Sequence, residues 1–222
     1  NAEVHNSFEL SIDNFTTTEI KLSSMFSKAI INEIDSLIID IDNDSLDDDY
    51  FSTTINIHMD YLLDRAPNTQ AKLNANKIIF NVYHYAILNL TGCFKHRNLS
   101  GVDTINVQED VELGISLNIT ADNMFQNTDY DDHLKLNDDT DVSKIIKINS
   151  AKSMFKNSAT FNDAILAKYF DFTQNPENFR EMFKNCDAID CNTLEAYYNV
   201  FPDSLKLGDD STPEELSNFD DI

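Results

Sequence analysis

The chain has no tryptophan, only four glycines and four prolines, and three cysteines in 222 residues. So little glycine and proline excludes a collagen-like or flexible-linker polypeptide. The odd cysteine count (Cys93, Cys186 and Cys191) is no disulfide framework. Buried thiols are the better reading, with a Cys186–Cys191 bridge as the alternative in an exported chain. No apolar run reaches the roughly 18 residues that a membrane-crossing helix needs. Basic residues are scarce too: 16 Lys and Arg stand against 39 Asp and Glu, a net charge of −23. Nucleic-acid affinity comes from cationic side chains on phosphates, so nucleic acid is excluded as a partner, and an anionic membrane surface with it. A basic protein, a divalent cation or plain solubility stays open. A first residue of Asn rather than Met marks a mature form or a fragment.

Motifs of catalysis are missing as well. There is no glycine-rich phosphate loop and no Gly-x-Ser-x-Gly. His5, His58, His84, His96 and His133 lack metal-ligand spacing. His96 lies in Lys95-His96-Arg97-Asn98, the only basic cluster, which reads as a local contact or a surface patch. Cys93 is near His96 but falls in an apolar slot, which argues against a thiolate nucleophile. No catalytic and no cofactor-binding residue is assigned, and the reading is non-enzymatic.

One phrase recurs instead. Asn123-Met124-Phe125-Gln126-Asn127-Thr128 returns as Ser153-Met154-Phe155-Lys156-Asn157-Ser158 and again as Glu181-Met182-Phe183-Lys184-Asn185-Cys186, at intervals of 30 and 28. Degenerate forms stand at Met25-Phe26, Tyr61-Leu62 and Cys93-Phe94. From Leu62 onward the slots are spaced 32, 31, 30 and 28. Self-similarity at such a period marks a solenoid, in which each unit buries its apolar face on its neighbours. The predicted fold class is an α/β solenoid of short strands and short helical or 3₁₀ pieces, about six repeats over residues 1–206, with an acidic tail at 207–222. Phe26, Phe94, Met124, Phe125, Met154, Phe155, Met182 and Phe183 are the structural repeat positions, with Phe125, Phe155 and Phe183 stacked in single file.

Each unit reads as strand, turn and helical piece. Phe8, Leu10 and Ile12 alternate with polar residues as a half-buried strand does. Ile20, Leu22, Met25 and Phe26 then change to near-helical spacing. Leu37, Ile39 and Ile41 point inward on the next strand. Asp64 to Asn76 is a looser insertion, and the run from Asn76 to Phe94 is the thickest core. After Phe183 the phrase decays through Tyr197, Tyr198 and Phe201.

The first unit resembles the BspA-like leucine-rich repeat of bacterial and mycoplasma surface proteins, with Leu10, Ile12, Phe15, Thr16, Thr18, Ile20, Leu22, Met25 and Phe26 in comparable places. Ser153–Ile165 and Asn178–Cys186 look like that repeat's Met-Phe portion, Phe179 being its first apolar residue. The resemblance implies a leucine-rich-repeat solenoid with a binding role, adhesion at a cell surface or on a virion, toward a protein or glycan. It implies no catalytic residues. A structural component fixed against neighbouring assembly subunits is the alternative.

A second alternative is an acidic-loop calcium module. Asp40, Asp42 and Asp44 occupy positions 1, 3 and 5 of an EF-hand pattern, but Ser45 replaces the required glycine and Phe51 the bidentate glutamate. Looser carboxylate groups stand at Asp129/Asp131/Asp132 and Asp138/Asp139/Asp141. Sequons begin at Asn14, Asn43, Asn89, Asn98 and Asn118. They matter only in a secreted eukaryotic chain, and Asn89 and Asn118 lie beside strands.

Overall fold

A computed structural model describes residues 7–13, 17–29, 31, 34–42, 54–64, 72–82, 86–107, 117–129, 135–136, 146–162, 167, 170–172 and 179–201. It is built mostly of parallel strands with few helices. In chain order the strands are β1 (Ser7–Ile12), β2 (Glu19–Lys21), β3 (Ile34–Ile41), β4 (Ile55–His58), β5 (Lys72–Val82) and β6 (Ala86–Asn89). Then follow β7 (Asn98–Gly101), β8 (Thr104–Val107), β9 (Leu117–Thr120), β10 (Lys135–Leu136), β11 (Ile146–Ser150) and β12 (Phe170–Asp171). Among the described residues one helix, α1, spans Cys191–Val200.

The strands divide between two sheets. The first has the order β1-β3-β5-β8-β10, with β7 also on β5; the second has β2-β4-β6-β9-β11-β12. Every strand pairing among the described residues is parallel. From β1 to β6 the chain alternates between the two sheets, so neighbours within a sheet come from successive units. The inward register of the second sheet is uniform: Ile20, Ile57, Leu88, Ile119 and Ile148 lie side by side and all are buried. Leu37, Ile39 and Ile41 of β3 are buried in the same core. Such β-branched and leucine rows are what a parallel strand buried on its inner face selects.

Between the sheets run tight turns. In each, an N–H bonds to the carbonyl three residues back, as from Met25 to Leu22, Cys93 to Leu90 and Met124 to Ala121. A residue with positive φ follows at fixed places: Ser24 and Lys28, Gly92 and His96, Asn123 and Asn127, Ser153 and Asn157, Glu181 and Asn185. The near-helical spacing at Ile20–Phe26 therefore has another cause. The i→i−3 bonds resemble those of a 3₁₀ turn, but the left-handed residue in each turn prevents a helix from propagating. Ile20 belongs to β2, and Met25-Phe26 to the turns after it.

Three further readings are corrected. Lys72 to Asn76, expected inside a loose insertion, begins the long strand β5. The tail of the repeats at Cys191–Val200 is an α-helix, N-capped by Asp190, whose side chain accepts from the Thr193 N–H. Its signal is the spacing of Leu194, Tyr197, Tyr198 and Phe201 at i, i+3, i+4 and i+7. Finally, Phe8 is 45 % exposed, because β1 is an edge strand rather than one covered on both sides.

Candidate functional site

The repeated phrase resolves letter by letter. Phe94, Phe125, Phe155 and Phe183 stand in one file, with centroid separations of 5.4, 5.5 and 5.8 Å and planes within 7° of parallel. Met124, Met154 and Met182 are buried beside them. The lysine or glutamine after Phe is half-buried. The next residue takes positive φ, which asparagine tolerates best among non-glycine residues. The amides of Asn127, Asn157 and Asn185 bond in series: Asn185 donates to Asn157 at 2.7 Å, and Asn157 to Asn127 at 3.0 Å. His96 holds the corresponding place one unit earlier, 3.2 Å from Asn127 on one side and from Asp64 on the other.

The last letter is a buried donor. Thr128 donates to the Phe94 carbonyl, Ser158 to that of Phe125 and the Cys186 thiol to that of Phe155, each reaching the preceding unit. Arg97 does the same for Leu63 and extends to the Ala29 carbonyl. The basic cluster is therefore no surface patch: Arg97 is fully buried. The two buried thiols are inert, Cys186 pushed up to about 12 by burial and Cys93 raised further by the same cause. Cys191 is a free, exposed thiol.

The slot at Tyr61-Leu62 is displaced by one. Phe26 donates to the Leu62 carbonyl and Leu63 to the Cys93 carbonyl, so Leu63 holds the phenylalanine place and Leu62 the methionine place. Phe26 is half-buried and meets Phe8 edge-on at 5.4 Å, with Leu63 between it and Phe94 in the ladder.

Inside, the chemistry repeats; outside, it varies. The outer register of the second sheet runs Glu19, Asn56, Ile87, Asn118 and Lys147, with Lys21, His58, Asn89 and Thr120 in the adjacent row. Ile87 is 39 % exposed. Glu19 pairs with Lys21 at 3.2 Å and with His58 at 3.3 Å. Asn89 and Asn118 lie within strands and are half-buried. The outer register of the first sheet is more covered: Ile79, Asn81, Thr104 and Asn106 on β5 and β8 are buried, Ser36, Ile38, Asp40 and Lys77 are half-buried, and Glu9 and Ser11 on β1 are exposed. The second sheet thus carries the more accessible face along the middle of the array.

Asp40 lies in β3 and Asp42 just beyond it, both half-buried; Asp44 falls outside the described residues, as do Asp131, Asp132, Asp138, Asp139, Asp141 and the tail 207–222. Among the described residues no three His, Cys, Asp or Glu side chains group as metal ligands, and no helix is long and apolar enough to cross a membrane. Comparison with protein-family models, with curated proteins and with solved structures finds no match.

Proposed function

We propose that this chain is a non-enzymatic interaction module: a solenoid of the leucine-rich-repeat kind, akin to BspA-like surface proteins, that binds a protein or glycan through the outer face of its second sheet. The observation that supports the reading is the contrast between the two faces of that sheet. Inward positions are aliphatic in five successive strands, whereas the outward row Glu19, Asn56, Ile87, Asn118 and Lys147 mixes acidic, amide, apolar and basic side chains. Repetition serves stacking, and variation supplies recognition. The amide side chains at Asn56, Asn89 and Asn118 offer donors and acceptors, and Ile87 offers an apolar anchor. A cell or virion surface is the proposed setting.

The test is binding of the labelled chain to a glycan array and to immobilised extracellular proteins, beside the variant Ile87→Arg/Asn118→Arg. A ligand bound by the parent and weakened about ten-fold or more by the variant supports the face. Equal binding by a variant with an unchanged melting temperature overturns it.

A further inference from the structure

The two ends of the strand array are not alike. At the C-terminal end α1 covers the ring file, Tyr197 lying 4.9 Å from Phe183 and 6.1 Å from Phe155, edge-on to both. At the N-terminal end nothing comparable stands among the described residues. Among the described residues β1 pairs only with β3 and β2 only with β4. Phe8 and Met25 are 45 % and 49 % exposed, and Leu10, Ile12 and Phe26 only half-buried.

This end also has a polarity. In the turns, N–H groups point toward the following unit and carbonyls toward the preceding one. Ser24, Phe26 and Lys28 donate to Asp60, Leu62 and Asp64; Gly92, Phe94 and His96 donate to Asp122, Met124 and Gln126; Ser153, Phe155 and Asn157 donate to Arg180, Met182 and Lys184. By the same register the carbonyls of Ser23, Met25 and Ser27 face outward at the N-terminal end, and no described residue donates to them. The end is an acceptor row flanked by apolar side chains and by the exposed acids Glu9 and Asp13, while Glu19 is already paired with Lys21 and His58 and Lys28 is exposed on the turn.

We infer that this end docks an extended, alternately apolar and basic segment of another protein, laid as a parallel strand along β2 and the carbonyl row that follows it, with Phe8 of β1 at its flank. The inference rests on the interaction-module reading and names a partner class for it. Strand addition at an open edge supplies N–H donors to carbonyls, and apolar side chains cover Phe8, Met25 and Phe26. Lysine or arginine on the alternate positions complements Glu9, Asp13 and the net charge of −23. A second copy fits badly. Head to head, it opposes carbonyls to carbonyls and one charge of −23 to another; head to tail, α1 stands in the way. The chain's own residues 207–222 are acidic and carry no basic residue.

The probe is a synthetic peptide alternating valine and lysine, with a valine–glutamate peptide as control, titrated into the full chain while backbone amide shifts are followed. Shifts concentrated in residues 7–12 and 17–29, absent with the acidic peptide, are the expected result. Met25→Lys and Phe8→Lys, each at a side chain already half in solvent, should weaken binding about ten-fold. Ile87→Arg on the sheet face should leave this affinity unchanged, so loss of the face's ligand and loss of this one are read separately. The single charge that each variant adds against −23 hardly alters non-specific attraction. Equal affinity in the end variants, shifts spread over the acidic surface, or a concentration-dependent dimer of the chain alone would each overturn the inference; the shift map needs no variant to fold.

Discussion

Serine, threonine and cysteine recur three residues after the stacked phenylalanine because a backbone carbonyl of the preceding unit waits there in a dry place. Ser158 serves two groups: its hydroxyl donates to Phe125 and accepts from the Thr128 N–H at 3.3 Å. Ser158→Ala leaves both buried groups without this partner and should cost about 1–3 kcal/mol in urea unfolding. Ser158→Thr and Ser158→Cys should recover part of the loss, since Thr128 and Cys186 hold equivalent places; a neutral alanine variant would refute the role. Glu181 supplies a residue with a pH signature. Hydrogen bonds from Lys156 and Lys184 lower its carboxyl from 4.5 to about 2. A depressed folded pKa contributes stability above the unfolded value and loses it as protons return. The stability difference between the parent and Glu181→Gln should therefore be constant above pH 4.5 and shrink toward pH 2. A difference that is flat across that range would remove the ion pairs from the account.

Elements in this chain are decided by the turns as much as by the strands. Gly92 has φ +60, and a Cβ there would come within 2.6 Å of the Tyr61 ring in the preceding unit. Gly92→Ala should destabilise by about 1–2 kcal/mol from the left-handed backbone alone, with the ring clash added. Combining it with Tyr61→Ala should relieve the clash and leave the backbone cost, which thermal melts of the single and double variants separate. Much of the strand pattern was legible in the sequence: Leu37, Ile39 and Ile41 alternate as inward residues must, and the Met-Phe phrase announces its own period. What was hidden has a physical reason. A run of left-handed turns spaces apolar residues much as a helical turn does, so periodicity alone could not distinguish the two at Met25-Phe26. Asn127 and Asn157 hinted at positive φ, but Glu181 and Lys28 did not. The one-residue displacement at Leu63 was masked because Tyr61, Leu62 and Leu63 are all apolar. The helix at Cys191–Val200 was hidden in an aromatic cluster that also suits a worn repeat. The sheet face was legible only as whatever falls outside the recurring positions; which residues share it depended on register, which no local pattern states.

At the scale of the whole molecule, the proposed solenoid carries its stability from neighbour to neighbour. Strands β4, β6 and β9 are bonded on both sides and back onto rows of buried aliphatics, whereas β1 is bonded on one side only. Native-state hydrogen exchange should therefore show its strongest protection at Ile57, Leu88 and Ile119 and its weakest in β1, with α1 shielding the opposite end. Uniform protection from β1 to β9 would contradict a stack with one open end.

The directional ladder has a mechanical consequence. In the proposed solenoid, a tensile load applied to the chain termini meets the contacts between units one at a time, not all together. Units bounded by Leu63, Phe94, Phe125, Phe155 and Phe183 hold 28 to 31 residues, and each would release roughly 100 Å of extended backbone as it gives way. The molecule should yield under force as a staircase that starts from β1 and finishes at the helix-clamped end.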